Sequence, residues 1–333
     1  MKAYFINKYQ KSPAILGDMP EPTVGDDDVL VEVHAAGLNH LDLRIKSGEF
    51  KLLVPYQMPL ILGHDVAGVV LSVGKNVTQF QVGDEIFARP RDGRIGAFAE
   101  RIAIHQADVA LKPKNLSMTD SAGLPLVALT AWQALVEIAK VQAGQKVFIH
   151  AGAGGVGTVA IQLAKSLGAF VATTTSSANV DFVKSLGVDV VVDYKQQDFT
   201  DVLTDYDVVI NSLDESTLLR SLAVMRTGGR LISISGPPTK AYAKSAKLNV
   251  ALQWVMHLLS RKVRAASAKK QVDYQFLFMT ANGLQLAHIA KLVESGQITP
   301  QTQAVYEFAD IEQAFNELEK GRTRGKIVVK ILP

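Results

Sequence analysis

The sequence predicts an α/β protein that combines a β-rich part with a doubly wound parallel sheet. Strand-like runs separated by glycine and proline fill about the first 120 residues. From residue 121 onward, apolar strand-like runs alternate with helical ones, as in a parallel sheet with helices on both faces. Between two of these runs lies AGAGGVG, at residues 151–157, in a strand–turn–helix context.

Alternation of apolar and polar residues indicates the strands of the β-rich part. Turn residues recur between these strands at spacings that are typical of a partly closed barrel. The predicted strands cover residues 28–39, 65–74, 83–90 and 98–105.

The alternating part opens with a helix at residues 126–140, where Pro125 lies in the first turn and its missing N–H costs nothing. We expect residues 237–270 to interrupt the alternation as a partly helical insertion. The other predicted strands are 146–150, 170–174, 188–192, 206–210, 230–234, 272–279 and 325–332, and the other helices are 156–167, 179–186, 217–225, 284–294 and 311–319.

The glycine-rich turn has the spacing of a dinucleotide-binding loop. Gly152 allows the tight turn, Gly154 lets the backbone approach a pyrophosphate, and Gly157 lets helix and strand pack closely. The pyrophosphate would lie at the helix N-terminus, where N–H groups and the helix dipole favour an anion. A structural turn without a ligand is the alternative. The predicted cofactor-binding residues of this turn are Gly152, Ala153, Gly154, Gly155, Val156 and Gly157.

The residues after the second strand of this fold favour NADP(H) over NAD(H). An acidic residue about 20 positions after the glycine motif usually binds the ribose 2′-hydroxyl of NAD. No Asp or Glu lies between Thr158 and Val180, and small hydroxyls can donate to a 2′-phosphate instead. These hydroxyls could equally cap the following helix. The predicted residues are Thr174, Thr175, Ser176 and Ser177, with Tyr194 near the adenosine end.

Composition restricts the compartment and the partners. The 333 residues include no cysteine, which excludes disulfides and thiolate metal sites and fits a cytoplasmic location. No apolar run reaches about 18 residues, so we expect neither a membrane span nor a membrane partner.

Residues 240–270 are unusual because they contain eight Lys or Arg and no Asp or Glu. Such a segment could bind nucleic acid or an anionic surface, but a solvated surface insertion is the favoured interpretation, so no nucleic-acid partner is expected. Within this segment lies an apolar run at residues 248–259, which could cover a substrate, pack internally or contribute to a dimer contact.

Several stretches together resemble the zinc-free quinone oxidoreductase branch of the medium-chain dehydrogenase/reductase superfamily. They are GLNHLDLRIKSG at 37–48, LGHDVAGVV at 62–70, VGDEIFA at 82–88, GAFAERIAI at 96–104, LPLVALTAWQAL at 124–135, residues 144–165 around the glycine turn, and GRTRGKIVV at 321–329. The resemblance implies a GroES-like β domain at residues 1–122 and 300–333. It also implies a Rossmann domain at 123–299 that carries the insertion.

The resemblance also implies that no zinc is bound. The positions of the three catalytic zinc ligands in zinc-dependent relatives correspond here to Asn39, His64 and a residue near Leu126. Catalytic zinc needs three protein ligands, and leucine offers no lone pair. We therefore expect His64 to be a buried histidine whose hydrogen bonds are satisfied.

By the same resemblance, the chain is expected to transfer a hydride from NADPH to a quinone or an α,β-unsaturated carbonyl, as a homodimer paired through residues 274–279. Asn39 and Thr130 would be catalytic and cofactor-binding residues at the nicotinamide, with Asn39 also beside the acceptor oxygen. Arg324 would belong to the cofactor site, and Tyr56 is a candidate catalytic acid. The alternative is an NADPH-binding protein with little or no turnover. The physiological acceptor and the proton donor stay open.

Overall fold

The computed structural model describes residues 1–332, which form two compact units. The first unit comprises Met1–Leu129 together with the chain from Thr280 onward, and the second comprises Thr130–Met279. Residues 280–299, which the sequence assigned to the Rossmann domain, therefore lie in the first unit. Helix α11 (Gly283–Glu294) packs there, since a Cβ on Gly283 would collide with the Val109 carbonyl.

Strands run through both units and confirm the predicted α/β class. In chain order they are β1 (Lys2–Ile6), β2 (Ile15–Asp18), β3 (Asp28–Gly37), β4 (Leu60–Ile61), β5 (Asp65–Val73), β6 (Glu85–Ala88), β7 (Arg101–His105), β8 (Val109–Leu111), β9 (Lys146–Ile149), β10 (Phe170–Thr175), β11 (Val190–Asp193), β12 (Tyr206–Asn211), β13 (Met225–Ser233), β14 (Asp273–Phe276), β15 (Thr302–Glu307) and β16 (Lys326–Lys330). Strands β1, β2, β4, β8 and β15 were not predicted from the sequence.

The helices include the predicted ones, with a difference near Trp132, and three short helices, α1, α2 and α6, that were not predicted from the sequence. They are α1 (His40–Ser47), α2 (Met118–Ala122), α3 (Pro125–Trp132), α4 (Gly155–Ser166), α5 (Val180–Ser185), α6 (Phe199–Val202), α7 (Glu215–Ser221), α8 (Lys240–Ser245), α9 (Val250–Leu259), α10 (Arg261–Lys269), α11 and α12 (Ile311–Glu319). The single helix predicted at 126–140 is wrong in its second half, where a π-helical turn (Gln133–Ile138) follows α3. No helix in the described chain is long and apolar enough to cross a membrane.

The larger sheet of the first unit brings four chain segments to one edge. Its strand order is β15-β16-β3-β5-β6-β8, with β7 also paired to β3, and β1, β2 and β4 form a smaller sheet. Gly37, the last residue of β3, pairs with Asp65 in β5 and with Val328 in β16. Continuing these ladders places Lys326 opposite Asn39 and Arg89 level with Asp65. Residues distant in sequence therefore meet at this edge.

The second unit has the parallel sheet that the alternating pattern predicts. Its order is β11-β10-β9-β12-β13-β14, and neighbouring strands pair in parallel. The strand order reverses between β9 and β12. In doubly wound sheets, ligands bind beyond the carboxyl ends of the strands at such a reversal.

His150, which follows β9, is a buried histidine that the fold keeps uncharged. Its ring centroid lies 4.3 Å from that of Phe148 and 5.1 Å from that of Phe199. Because the Ser221 hydroxyl donates to the Thr217 carbonyl, His150 Nε2–H donates to Ser221 Oγ at 2.8 Å. Burial, and then the nearby Arg220, lower the pKa of His150 to about 3.

We predict that His150 makes the protein less stable as the pH falls below 6.5. The unfolded chain binds a proton near pH 6.5 whereas the native chain does not until about pH 3. Its contribution at pH 5 is a loss of about 2 kcal/mol in the free energy of unfolding. Urea unfolding of wild type and His150→Gln at pH 7 and pH 5 should show a smaller pH dependence in the variant. His288→Gln, which changes an exposed histidine, is the control, and equal pH dependence in all three proteins would contradict the assignment.

Candidate active site

Five polar side chains are buried together at the sheet edge of the first unit. None is more than 6% exposed, so each needs a partner within the protein. Asn39 is the N-cap residue of α1, and Lys326 begins β16. This cluster, called the buried polar cluster below, consists of Asn39, Asp42, His64, Asp65 and Lys326.

Lys326 is the cation of the buried polar cluster. Its Nζ donates to Asn39 Oδ1 at 2.5 Å and to Asp65 Oδ2 at 3.1 Å. Asn39 Nδ2 in turn donates to Asp65 Oδ2 at 2.9 Å and to the Gly37 carbonyl at 3.3 Å. Asp65 Oδ1 accepts the Leu126 N–H at 2.7 Å. The amide of Asn39 is thus fully engaged within the first unit, and the sequence did not identify Lys326 as a site residue.

His64 is oriented by a carboxylate on one side and has no partner on the other. Its Nδ1 lies 2.5 Å from Asp42 Oδ1, while Asp42 Oδ2 accepts the Asn39 N–H at 2.8 Å. Its Nε2 is fully buried and has no hydrogen-bond partner among residues 1–332. The expectation of a fully satisfied histidine is therefore wrong for this nitrogen. With Nδ1 oriented by the carboxylate, Nε2 is the ring nitrogen that is left for a hydrogen bond with a ligand.

The donor set of the buried polar cluster does not fit a catalytic zinc ion. The oxygen atoms of Asn39 and Asp65 already contact the Lys326 ammonium, which would repel a second cation. Leu126 contributes only a backbone N–H at this place. No group of three or more His, Asp or Glu residues suited to a metal occurs within the described part of the chain. We therefore derive no chemistry from a metal.

Arg89 and Tyr56 form a second group of buried polar atoms in the same unit. Arg89 is 1% exposed; its Nη2 binds Asp92 Oδ1 at 2.5 Å, and neither Nε nor Nη1 has a partner in the described chain. The buried hydroxyl of Tyr56 has no hydrogen bond of good geometry in the described chain, although the nearby Gly93 N–H acts to lower its pKa. Burial and the charge of Asp92 raise the pKa of Tyr56, while Arg89 opposes the shift, so the phenol stays protonated at neutral pH. The sequence pattern gave no signal for Arg89, because only the β5–β6 register brings it level with Asp65.

The glycine turn of the second unit has the predicted construction. Ala151 adopts a left-handed conformation (φ 54°), and Gly154 is the N-cap of α4 without a side chain that could cap it. A Cβ on Gly157 would collide with the Ala151 carbonyl and lie 2.7 Å from the Gly152 Cα. A Cβ on Gly154 would meet only the Ala151 carbonyl, at 3.3 Å. Gly157 is therefore needed for packing, whereas Gly154 keeps the helix N-terminus open.

The structure joins the end of β10 to the glycine turn. Thr174 Oγ1 accepts the Ala151 N–H at 3.1 Å, and its carbonyl accepts the Gly152 N–H at 3.0 Å. Thr174 and Thr175 are buried, 4% and 3% exposed, whereas Ser176 and Ser177 are more accessible. Thr174 thus supports the turn itself.

A carboxylate that the sequence argument overlooked lies beside the predicted 2′-phosphate site. Asp193 ends β11, where it pairs in register with Thr175, and its Oδ2 accepts the Ser177 hydroxyl at 2.5 Å. Asp193 lies beyond the residues that follow the glycine motif most closely, but the parallel register brings the end of β11 beside the end of β10. Tyr194 follows Asp193, with its side chain 61% exposed and its N–H bound to the Thr175 carbonyl.

Two other predicted site residues can be placed within their own units. Thr130, 4% exposed, lies in α3 at the start of the second unit. Arg324 lies in the turn before β16 in the first unit, and its N–H donates to Gln303 Oε1 at 2.5 Å. Asp42 pairs with His64 and therefore belongs to the buried polar cluster.

Comparison with known families matches both parts of the chain. Residues 25–114 match the alcohol dehydrogenase GroES-like domain, and residues 186–329 match the zinc-binding dehydrogenase family. These matches agree with the β-rich first unit and the parallel sheet of the second.

Known relatives are similar along most of their length. The chain is 32% identical to the 2-methylene-furan-3-one reductase of Solanum lycopersicum, over 94% of this chain and 74% of the relative. It is 31% identical to the chloroplastic NADPH-dependent alkenal/one oxidoreductase of Arabidopsis thaliana, with the same coverage. The quinone oxidoreductase structure from Coxiella burnetii has a TM-score of 0.86 and 29% identity, and the match covers 100% of this chain and 99% of that one.

We predict that Gly154→Ala weakens cofactor binding whereas Gly157→Ala lowers stability. Gly157→Ala should lower the free energy of unfolding by about 1–3 kcal/mol, because the added methyl group overpacks the turn. Gly154→Ala should fold normally yet bind NADPH at least tenfold more weakly, because the methyl group faces the expected pyrophosphate. Thermal unfolding and NADPH fluorescence titration measure the two effects. Normal NADPH affinity in a folded Gly154→Ala protein would contradict the assigned cofactor site.

Proposed function

Because the chain belongs to the quinone oxidoreductase branch of the medium-chain dehydrogenase/reductase superfamily and is an oxidoreductase, we propose that it transfers hydride from NADPH to a quinone or an α,β-unsaturated carbonyl without a metal. The observation that carries this proposal is the Lys326 ammonium, held against Asn39 and Asp65. A site whose oxygen atoms already bind a lysine side chain is suited to acceptors that need no Lewis acid.

The acceptor class follows from the chemistry that such a site can support. Oxidation of an alcohol needs a strong base or a metal that lowers the alcohol pKa. A quinone or an enone is already electrophilic, and the negative charge that arrives with the hydride is delocalised onto oxygen. The nicotinamide supplies the hydride when bound, and the protein has to orient the acceptor and stabilise the developing charge.

Arg89 and Tyr56 are the groups that we assign to the acceptor oxygen. Both carry buried donor atoms without a partner in the described chain, which is costly unless a ligand accepts from them. A guanidinium and a protonated phenol both stabilise an oxyanion, and the phenol can also deliver the proton that completes the reduction. Asn39, whose amide is engaged by Lys326 and Asp65, acts in this proposal by positioning α1 beside the nicotinamide.

Three observations favour NADPH over NADH, and one opposes it. Hydroxyl-bearing residues at 174–177 and the absence of an acid on β10 favour a 2′-phosphate, and one relative is named NADPH-dependent. The Asp193 carboxylate opposes it by charge, although Ser177 donates to one of its oxygens. Thr130 and Arg324 stay predicted cofactor contacts, as do residues 152–157, 174–177 and Tyr194.

Three further expectations from the sequence remain predictions. The homodimer would form through β14, which is the edge strand of the parallel sheet and has backbone groups available for pairing. The cytoplasmic location is a prediction as well, and the Arabidopsis relative is named as chloroplastic. The alternative of an NADPH-binding protein without turnover is decided by assay.

We predict NADPH oxidation by purified protein with 9,10-phenanthrenequinone, a 2-alkenal or a cyclic enone, unchanged by a chelator. Absorbance at 340 nm reports the rate, NADH run in parallel tests the 2′-phosphate interpretation, and the preferred acceptor names the subclass. Preference for NADH would refute the assignment of residues 174–177. Binding of NADPH without oxidation by any acceptor would establish the alternative function.

We predict that Tyr56→Phe lowers kcat about 100-fold while leaving the melting temperature and NADPH affinity unchanged. The hydroxyl has no hydrogen bond of good geometry in the described chain, only a weak contact with the Gly93 N–H, so its removal costs little stability. Arg89→Gln should lower kcat at least as much, whereas Arg91→Gln, in the same loop but paired with Asp108, is the control. Wild-type kcat in Tyr56→Phe with each acceptor class would remove Tyr56 from the acceptor site.

A further inference from the structure

Helix α9 presents an apolar face to solvent. Its five large exposed apolar side chains fall at spacings of four, five, eight and nine residues from the first, so they form one stripe along the helix. They are Val250 (67% exposed), Trp254 (54%), Val255 (48%), Leu258 (65%) and Leu259 (58%). This set is called the α9 stripe below.

The side of α9 opposite the α9 stripe packs against the protein. Met256, on the other side of α9, is buried at 3% exposure, and Ser260 at the end of the helix is fully buried. Asn249 caps the start of the helix by accepting the Leu252 N–H at 2.9 Å. The helix is therefore anchored, and the stripe is the side that faces away from the protein. Contiguous exposed apolar patches of this kind mark interaction surfaces.

Unpaired cations lie on both ends of the α9 stripe. Lys244, Lys247 and Arg261 are exposed and form no ion pair within residues 1–332. Lys240 Nζ lies 4.3 Å from the centre of the Trp254 ring. The nearest carboxylate to Lys262 is that of Glu215, at 3.9 Å. The segment that carries the stripe, residues 240–270, contains eight Lys or Arg and no Asp or Glu and is therefore strongly basic.

The apolar stripe and the basic residues beside it together restrict the kind of surface that could cover the stripe. A second copy of the same face would bring like charges together, which is unfavourable. A purely apolar partner would leave the lysines and arginines unpaired. An anionic lipid surface satisfies both features, since aliphatic and aromatic side chains enter the headgroup region while Lys and Arg meet the lipid charges.

We propose that α9, with the basic residues of α8 and α10, docks this protein on anionic bilayers as a peripheral, reversible contact. Docking of this kind differs from spanning, and it departs from the sequence-based expectation of no membrane partner. It is independent of the acceptor assigned above.

The test is co-sedimentation of the full-length protein with sucrose-loaded vesicles of phosphatidylcholine, with and without 30% phosphatidylglycerol. We expect binding only to the anionic vesicles, loss of binding in 0.5 M NaCl, and a blue shift of Trp254 fluorescence. Trp254→Glu/Leu258→Glu and Lys244→Glu/Lys247→Glu should each reduce binding at least tenfold. The matched controls are Leu284→Glu, which changes a leucine that is 73% exposed elsewhere, and Lys8→Glu/Lys11→Glu.

Three results would overturn the proposal. The first is no binding to anionic vesicles by a folded wild-type protein. The second is a stripe variant that binds vesicles normally but changes its mass in light scattering, which would assign the stripe to a contact between copies. The third is loss of NADPH turnover in stripe variants without lipid, which would make α9 part of the acceptor site.

Discussion

A buried ammonium group has to be paired, and much of the first unit is arranged around the pairing of Lys326. An isolated charge in a protein interior is strongly unfavourable, so the fold must supply oxygen atoms at the same place. Asn39 and Asp65 supply them, although they are 287 and 261 residues away in sequence. This pairing joins β16, the last strand, to β3 and β5, and thereby returns the end of the chain to the unit in which it began.

The same pairing has chemical consequences for the site. With Lys326 held beside it, the amide of Asn39 has a fixed orientation, and Asp42 is left to orient His64. The arrangement resembles a metal centre in its carboxylate–histidine pair but contains a side-chain cation instead. Lys326 Nζ already donates to two oxygen atoms of the protein, so in the proposed reaction other residues stabilise the oxyanion. Arg89 and Tyr56 carry donor atoms available for that task.

Features encoded within one short stretch could be predicted from the sequence. The glycine turn, the alternating strands and helices and the apolar run at residues 248–259 all depend on neighbours a few positions apart. Lys326, Arg89 and Asp193 could not be found in this way, because each acquires its role through strand register with a distant segment. The end of the helix at Trp132 was also missed, since an apolar run with helical periodicity contains no signal for a π-helical turn.

Two features that destabilise the folded chain indicate two different binding surfaces. Buried polar atoms without partners, on His64, Tyr56 and Arg89, each cost about 1–3 kcal/mol, which is a large part of the stability of a typical domain. The α9 stripe exposes apolar area that burial would have stabilised. Folding alone favours neither unpartnered buried polar atoms nor exposed apolar side chains. Proteins keep such features mainly where a ligand or a partner compensates for their cost. The buried polar atoms lack hydrogen-bond partners, which a small oxygen-bearing molecule supplies. The α9 stripe lacks apolar cover, which an extended amphipathic surface supplies.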